Sequence, residues 1–129
     1  MRVLKLAAFD KFAQKNDISD AALHDAVERA EKGQIAANLG SGVIKQRIAR
    51  EGEGKRGGFR TIIIFRSMER AFFIYGFPKN KRDNIRRDEK EVFIKLAAHL
   101  LNIPDESVEA LIEDGAYIEV EVNKNGETI

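Results

Sequence analysis

The sequence predicts an α+β fold in which two N-terminal helices pack on a mainly antiparallel, twisted sheet, followed by a C-terminal helical segment and a last short strand. Three observations predict it. Apolar residues recur at helical spacing over 9–30, strand-like runs joined by short connections fill 43–77, and a long helical period returns over 86–102. At 129 residues, 43% apolar and 33% charged, the chain is long enough for one domain with a real core, and residues 1–129 are read as that single domain.

Val3 to Leu6 reads as a short strand. Phe9, Phe12 and Ala13 have helical spacing and read as core of a first short helix. Ser19 is placed to cap a second helix, whose stripe is Leu23, Ala26, Val27 and Ala30 and whose end is Gly33. Residues 34–42 read as a connector. Over 43–50 the period becomes two: Val43, Lys45, Arg47 and Ala49 point one way, Ile44, Gln46, Ile48 and Arg50 the other. A glycine-rich loop over 51–58 leads to a nearly continuous apolar run over 59–66, the expected central strand. After a turn at 67–70, an aromatic-rich strand covers 71–77, completing an antiparallel meander. Pro78 stops that strand, and 79–84 form a polar, basic loop. Pro104 breaks the long helix of 86–102, Asp105 can cap a short helix to about Asp114, and 117–122 alternates as a last strand or extended arm.

The net charge of +1 conceals an asymmetry. Residues 1–42 are neutral, 43–90 carry fourteen Lys/Arg against six Asp/Glu for a net of +8, and 91–129 carry a net of −7. A basic middle points to a polyanion site on one part of the fold. The bland alternative is that the basic and acidic blocks neutralise one another in space.

Other classes of function fit poorly. No apolar run approaches the ~18 residues of a membrane span, and no secretory leader is recognisable at the start of the sequence, so a cytoplasmic protein without membrane attachment is expected. Without cysteine there is no disulfide framework or thiolate chemistry. His24 and His99 are far apart, each on a predicted helix without a second ligand at zinc-site spacing, so no metal and no cofactor are expected. Gly54-Lys55 is followed by Arg56 and opens onto a strand, which does not make a phosphate loop.

Cationic chemistry remains. Lys45 and Arg47 share a strand face, Lys55 and Arg56 sit in the returning loop, and Arg60 opens the neighbouring strand. An antiparallel pair brings these together, and the start of the second meander strand shares a sheet edge with the end of the third, from which Lys79, Lys81 and Arg82 emerge. Such a cluster binds phosphates through charge-assisted hydrogen bonds. It can also cleave RNA without metal, because the 2′-hydroxyl is an internal nucleophile. The protein then need only stabilise the phosphorane oxygens and handle two protons. A solvated basic face that only binds is the competing reading of the same residues.

These segments resemble the RelE/HigB superfamily of type II toxin–antitoxin toxins, and within it the HigB-like group. The resemblance is carried by Gly42-Val43-x-Lys45-x-Arg47, by Gly54-Lys55-x-Gly57-Gly58-Phe59-Arg60 and by Gly76-Phe77-x-Lys79, and it covers most of the chain. It implies a RelE-like fold and a ribosome-dependent endoribonuclease, an mRNA interferase, that cuts mRNA in the A site of the 70S ribosome. It also implies a cognate antitoxin, expected to be a helix-turn-helix protein through which alone the toxin meets DNA. Carried over residue by residue, Arg60 contacts the scissile phosphate, and Lys45, Lys55 and Lys79 are the further catalytic candidates. Arg47, Arg56, Lys81 and Arg82 are the RNA-binding ones. Where some relatives place a catalytic tyrosine or histidine, this chain has Ile85 beside Asn84, so Lys45, Lys55, Lys79 or Tyr75 stand as proton handlers, Tyr75 otherwise reading as a core aromatic. A ParE-like toxin acting on DNA gyrase and a non-catalytic nucleic-acid-binding module are the alternative readings.

Overall fold

The computed structural model describes residues 1–50, 54–82 and 84–121, the side chains of 54–56 excepted. In chain order the elements are β1 (Arg2–Leu6), α1 (Ala7–Lys15), α2 (Asp20–Glu31), β2 (Ala37–Gly40) and β3 (Val43–Arg50). They continue with β4 (Gly54–Arg66), β5 (Arg70–Pro78), α3 (Arg87–Leu100), α4 (Asp105–Glu113) and β6 (Tyr117–Glu119). The six strands form one sheet in the order β2-β3-β4-β5-β1-β6. β1 runs parallel to β5, with Lys5 opposite Phe73, and every other neighbouring pair is antiparallel.

Both faces of the sheet are covered, and strand alternation decides which residue goes to which layer. Phe9, Leu23 and Val27 of α1 and α2 pack on Val3, Ile44, Ile48, Phe59, Ile63 and Phe73. Ala97, Leu100, Leu101 and Val108 of the α3–α4 segment pack on Leu4, Val43, Ile62, Ile64 and Phe72 from the opposite side. Burying a Phe, Leu or Ile side chain contributes roughly 1.5–3 kcal/mol, so these two layers supply the driving force of the fold. Polar groups that enter them are satisfied. Gln46 donates to the carbonyls of Ala26 at 3.1 Å and Gln34 at 2.9 Å. Lys5, on the α1–α2 side of β1, is held between Asp10 and Asp20, each at 2.8 Å. Burial alone would lower the Lys5 pKa, but the hydrogen bonds to the two carboxylates outweigh it and hold it above its ordinary value.

The meander, the Ser19 cap and the helices at both ends match the expectation; Ser19 Oγ accepts from Ala22 N at 3.1 Å. Two elements differ. The connector over 34–42 contains β2, which folds back on β3 with Ala37 opposite Lys45. Gly40, Ser41 and Gly42, all with positive φ, turn the chain between them. Ala-Asn-Leu-Gly has little strand propensity, so pairing with β3 decides its state. β4 also begins at Gly54, well before the expected start at 59, so Arg60 sits inside the strand. Gly58 permits this pairing, since a Cβ there would stand 2.1 Å from the Ile48 carbonyl oxygen at the irregular end of the β3–β4 ladder.

Candidate functional site

The α3–α4 face of the sheet is not uniformly covered. α3 buries Ala97 and Leu100 against it, whereas Val92 near its N-terminus is 61% exposed. Beyond that cover, β3 presents Lys45 and Arg47, β4 presents Arg60, and β5 presents Tyr75 and Phe77. The register sets them in two rows. Arg47 lies opposite Arg60 and Arg60 opposite Phe77; Lys45 lies opposite Ile62 and Ile62 opposite Tyr75. Arg47 is exposed and Lys45 half-buried, while Arg60 is 6% exposed with Nη1 donating to the Phe59 carbonyl at 3.4 Å. A cation largely removed from water acts on a neighbouring anion more strongly than one on the surface.

The segment after β5 folds over this floor. The Arg82 guanidinium lies over the rings of Tyr75 and Phe77, 5.8 and 5.3 Å from their centroids. Its Nε donates to the Asn84 carbonyl at 2.8 Å, its Nη1 to Tyr75 Oη at 3.1 Å and its Nη2 to Glu89 Oε1 at 2.5 Å. Glu89 Oε1 also accepts from Arg86 N at 2.7 Å and so caps α3. The hydrogen bond from Arg82 is the main reason that the Glu89 carboxyl is held below its usual range, and the same bond holds the Arg82 guanidinium above its own. Lys45 Nζ reaches Asn84 Oδ1 at 3.5 Å. Lys45, Arg47, Arg60 and Arg82 therefore meet on one patch with an aromatic floor, a surface able to grip a phosphodiester through several donors at once.

The other expected residues fall differently. Lys79 follows β5 directly, and its N–H donates to the Gly58 carbonyl at 3.0 Å, so the start of the second meander strand and the end of the third do share an edge. Lys81 lines a groove that reaches from the end of α1 to Tyr75 and Phe77, the two rings under Arg82. Lys55 and Arg56 belong to β4, but their side chains lie outside the described residues. Tyr75, read as a core aromatic, has its ring on Phe93 at 5.9 Å and its hydroxyl on Arg82. Glu89, Asn84 and Phe77 join the site without having been expected. A Glu at the third helical position is one half of a capping signal, whereas nothing local announces the Arg82–Glu89 pair.

The bland reading of the charge blocks holds for part of the molecule. Arg70 pairs with Asp105 at 2.8 Å, and Arg66 and Arg70 donate to the carbonyls of Leu101 and Leu100 at the end of α3. These cations fasten the acidic C-terminal segment. His24 sits 3.2 Å from Glu28 along α2, and among the described residues no group of three His, Cys, Asp or Glu side chains could hold a metal ion. No helix among them is long and apolar enough to cross a membrane.

Residues 1–120 match the family described as RelE toxin of RelE / RelB toxin-antitoxin system. No curated protein matches the chain.

Proposed function

The chain belongs to the RelE toxin family of toxin–antitoxin systems, and from that membership we propose that it is a ribosome-dependent endoribonuclease that cuts mRNA in the A site and stops translation. Membership implies an antitoxin partner; a helix-turn-helix protein that blocks the basic patch is the form proposed for it, and a cytoplasmic location follows from the proposed target. The observation that carries the reading is the meeting of Lys45, Arg47, Arg60 and Arg82 on the part of the sheet that α3 leaves uncovered.

In the proposed reaction the 2′-oxygen attacks the adjacent phosphorus and the bond to the 5′-oxygen breaks. The products are a 2′,3′-cyclic phosphate and a new 5′-hydroxyl. One proton leaves the attacking 2′-hydroxyl and one arrives on the departing 5′-oxygen. Arg60 stabilises the charge that grows on the non-bridging oxygens, where desolvation makes a fixed cation most effective. Arg82, pre-positioned by Tyr75, Phe77 and Glu89, clamps the same phosphate, and Arg47 holds a neighbouring one. Lys45 and the Tyr75 hydroxyl border this point and are the groups proposed to move the protons, with Lys55 and Lys79 as further candidates at the strand ends.

The test is to express the protein in a coupled translation system and map mRNA 5′ ends. Cuts in phase with codons are expected. Intact mRNA with double-strand DNA breaks would point instead to gyrase, and neither outcome would leave a binding module.

A further inference from the structure

A second basic surface lies at the edge of the sheet beside α1, and its lining shares Tyr75 and Phe77 with the first. β1 leaves β5 after Lys5 opposite Phe73 to enter α1, while β4 follows β5 as far as Pro78. The last residues of β5 thus have a strand neighbour on one side only among the described residues. The end of α1 closes over them instead: the Phe12 ring lies so near Gly76 that a Cβ there would stand 2.5 Å from it. Between these elements run two adjoining cavities of about 570 and 320 Å³ that share Lys15, Asn16 and Arg50. In the larger one, the charged lining residues among those described are Lys15, Arg50 and Lys81, all cationic; Asp17 joins in the smaller. The Arg50 guanidinium stands over Phe59, 4.9 Å from the ring centroid.

We propose that this groove holds the single-stranded RNA that runs on from the cleavage site. The inference rests on the reading of the protein as an RNA-cleaving toxin and says where the substrate strand goes. Lys81 lines the groove and Arg82, the next residue, lies over Tyr75 and Phe77, which border both, so a strand can pass from one to the other round the end of β5. The groove supplies what a phosphate chain needs: three cations in its lining and side-chain amides from Asn16 and Asn80. An extended peptide adding to the free edge of β5 is the rival occupant. The three cations among the described lining residues of the larger cavity, its sharing of Tyr75 and Phe77 with the site of Arg82 and the Phe12 ring packed against Gly76 favour the nucleic acid.

Binding of 2′-O-methyl RNA, which has no nucleophile and cannot be cut, tests this by fluorescence anisotropy with a trinucleotide and a dodecanucleotide. Wild-type protein is expected to bind the longer strand much more tightly. Lys15→Glu is expected to weaken dodecanucleotide binding about tenfold and to lower its salt slope by roughly 0.7, the change for one phosphate no longer neutralised, collapsing the advantage of length. Circular dichroism of the exposed Lys15 variant controls for folding. An equal fall for both lengths, or no fall, overturns the proposal. So does loss of antitoxin capture with RNA binding intact, which assigns the groove to a peptide. Wild-type protein that shows the length advantage yet cuts no mRNA would sink the cleavage reading and leave the groove standing.

Discussion

The covered and uncovered halves of one sheet face are built from the same three strands and do opposite work. Under α3 and α4, β3 places Val43, β4 places Ile62 and Ile64, and β5 places Phe72, all essentially without solvent exposure. A few residues along the same strands stand Lys45 and Arg47, Arg60, and Tyr75 with Phe77. Phe77 is as buried as a core residue, but what lies on it is the guanidinium of Arg82 instead of a helix. Backbone geometry is continuous across the boundary; only the chemistry of the side chains and of their cover changes. The covered half makes a packed base, and in the proposed reading the uncovered half sets its cations on that base, the condition for electrostatic stabilisation without reorganisation.

Substitutions can break that contrast from either side. The largest effect is expected at Phe72, where Phe72→Ala should cost about 3–5 kcal/mol of stability, read as a lowered urea midpoint, with activity lost only as the fold is lost. Next comes Arg60→Ala, expected to cut cleavage by more than ~100-fold, about 2.7 kcal/mol of transition-state stabilisation, while circular dichroism stays native. Wild-type cleavage in that variant would make Arg60 structural and erase the distinction between the halves.

Glu89 sits on the boundary and sharpens it. Glu89→Gln keeps the shape and removes the charge that holds Arg82 on its aromatic shelf, so cleavage should fall by roughly tenfold, as for loss of one charge-assisted hydrogen bond. The pH dependence has a definite sign. The folded-state pKa of Glu89 is depressed, so its contribution to stability is fully present above the ordinary carboxylate value and is lost as pH falls through the lower folded value. Thermal melts of wild type and Glu89→Gln should therefore differ most above the ordinary glutamate value of about 4.3 and converge only as pH falls through the depressed folded value; a gap that does not narrow on acidification would remove Glu89 as the cause. The smallest effect belongs to Val92, on the outer side of α3: Val92→Lys should change stability by no more than ~0.5 kcal/mol, and a larger loss in a melt would show that α3 covers more of the sheet than its burial implies.

Much of this contrast is legible in the sequence because alternation is a local rule. The period of two over β3 puts Lys45 and Arg47 on one face and Gln46 and Ile48 on the other, and the burial of Gln46 and Ile48 follows it. Pairing β3 with β4 and β4 with β5 then brings Arg60 between them. What stays hidden depends on contacts far apart in the chain or on turn geometry. β2 exists because β3 accepts it. Arg82 and Glu89 find each other through the path of the turn and the start of α3. The alternation that sorts a strand has no counterpart there.

The place of β1 has a consequence for how the molecule comes into being. It precedes the other described strands, yet it lies between β5 and β6, the last of them. On a ribosome it emerges before either neighbour. Its parallel partner must be made before it can dock, and its antiparallel partner is made later still. Such long-range pairing slows folding, so maturation of the sheet waits on β6. A nascent chain cut short before β6 would leave β1 as a raw border, open to chaperones and proteases.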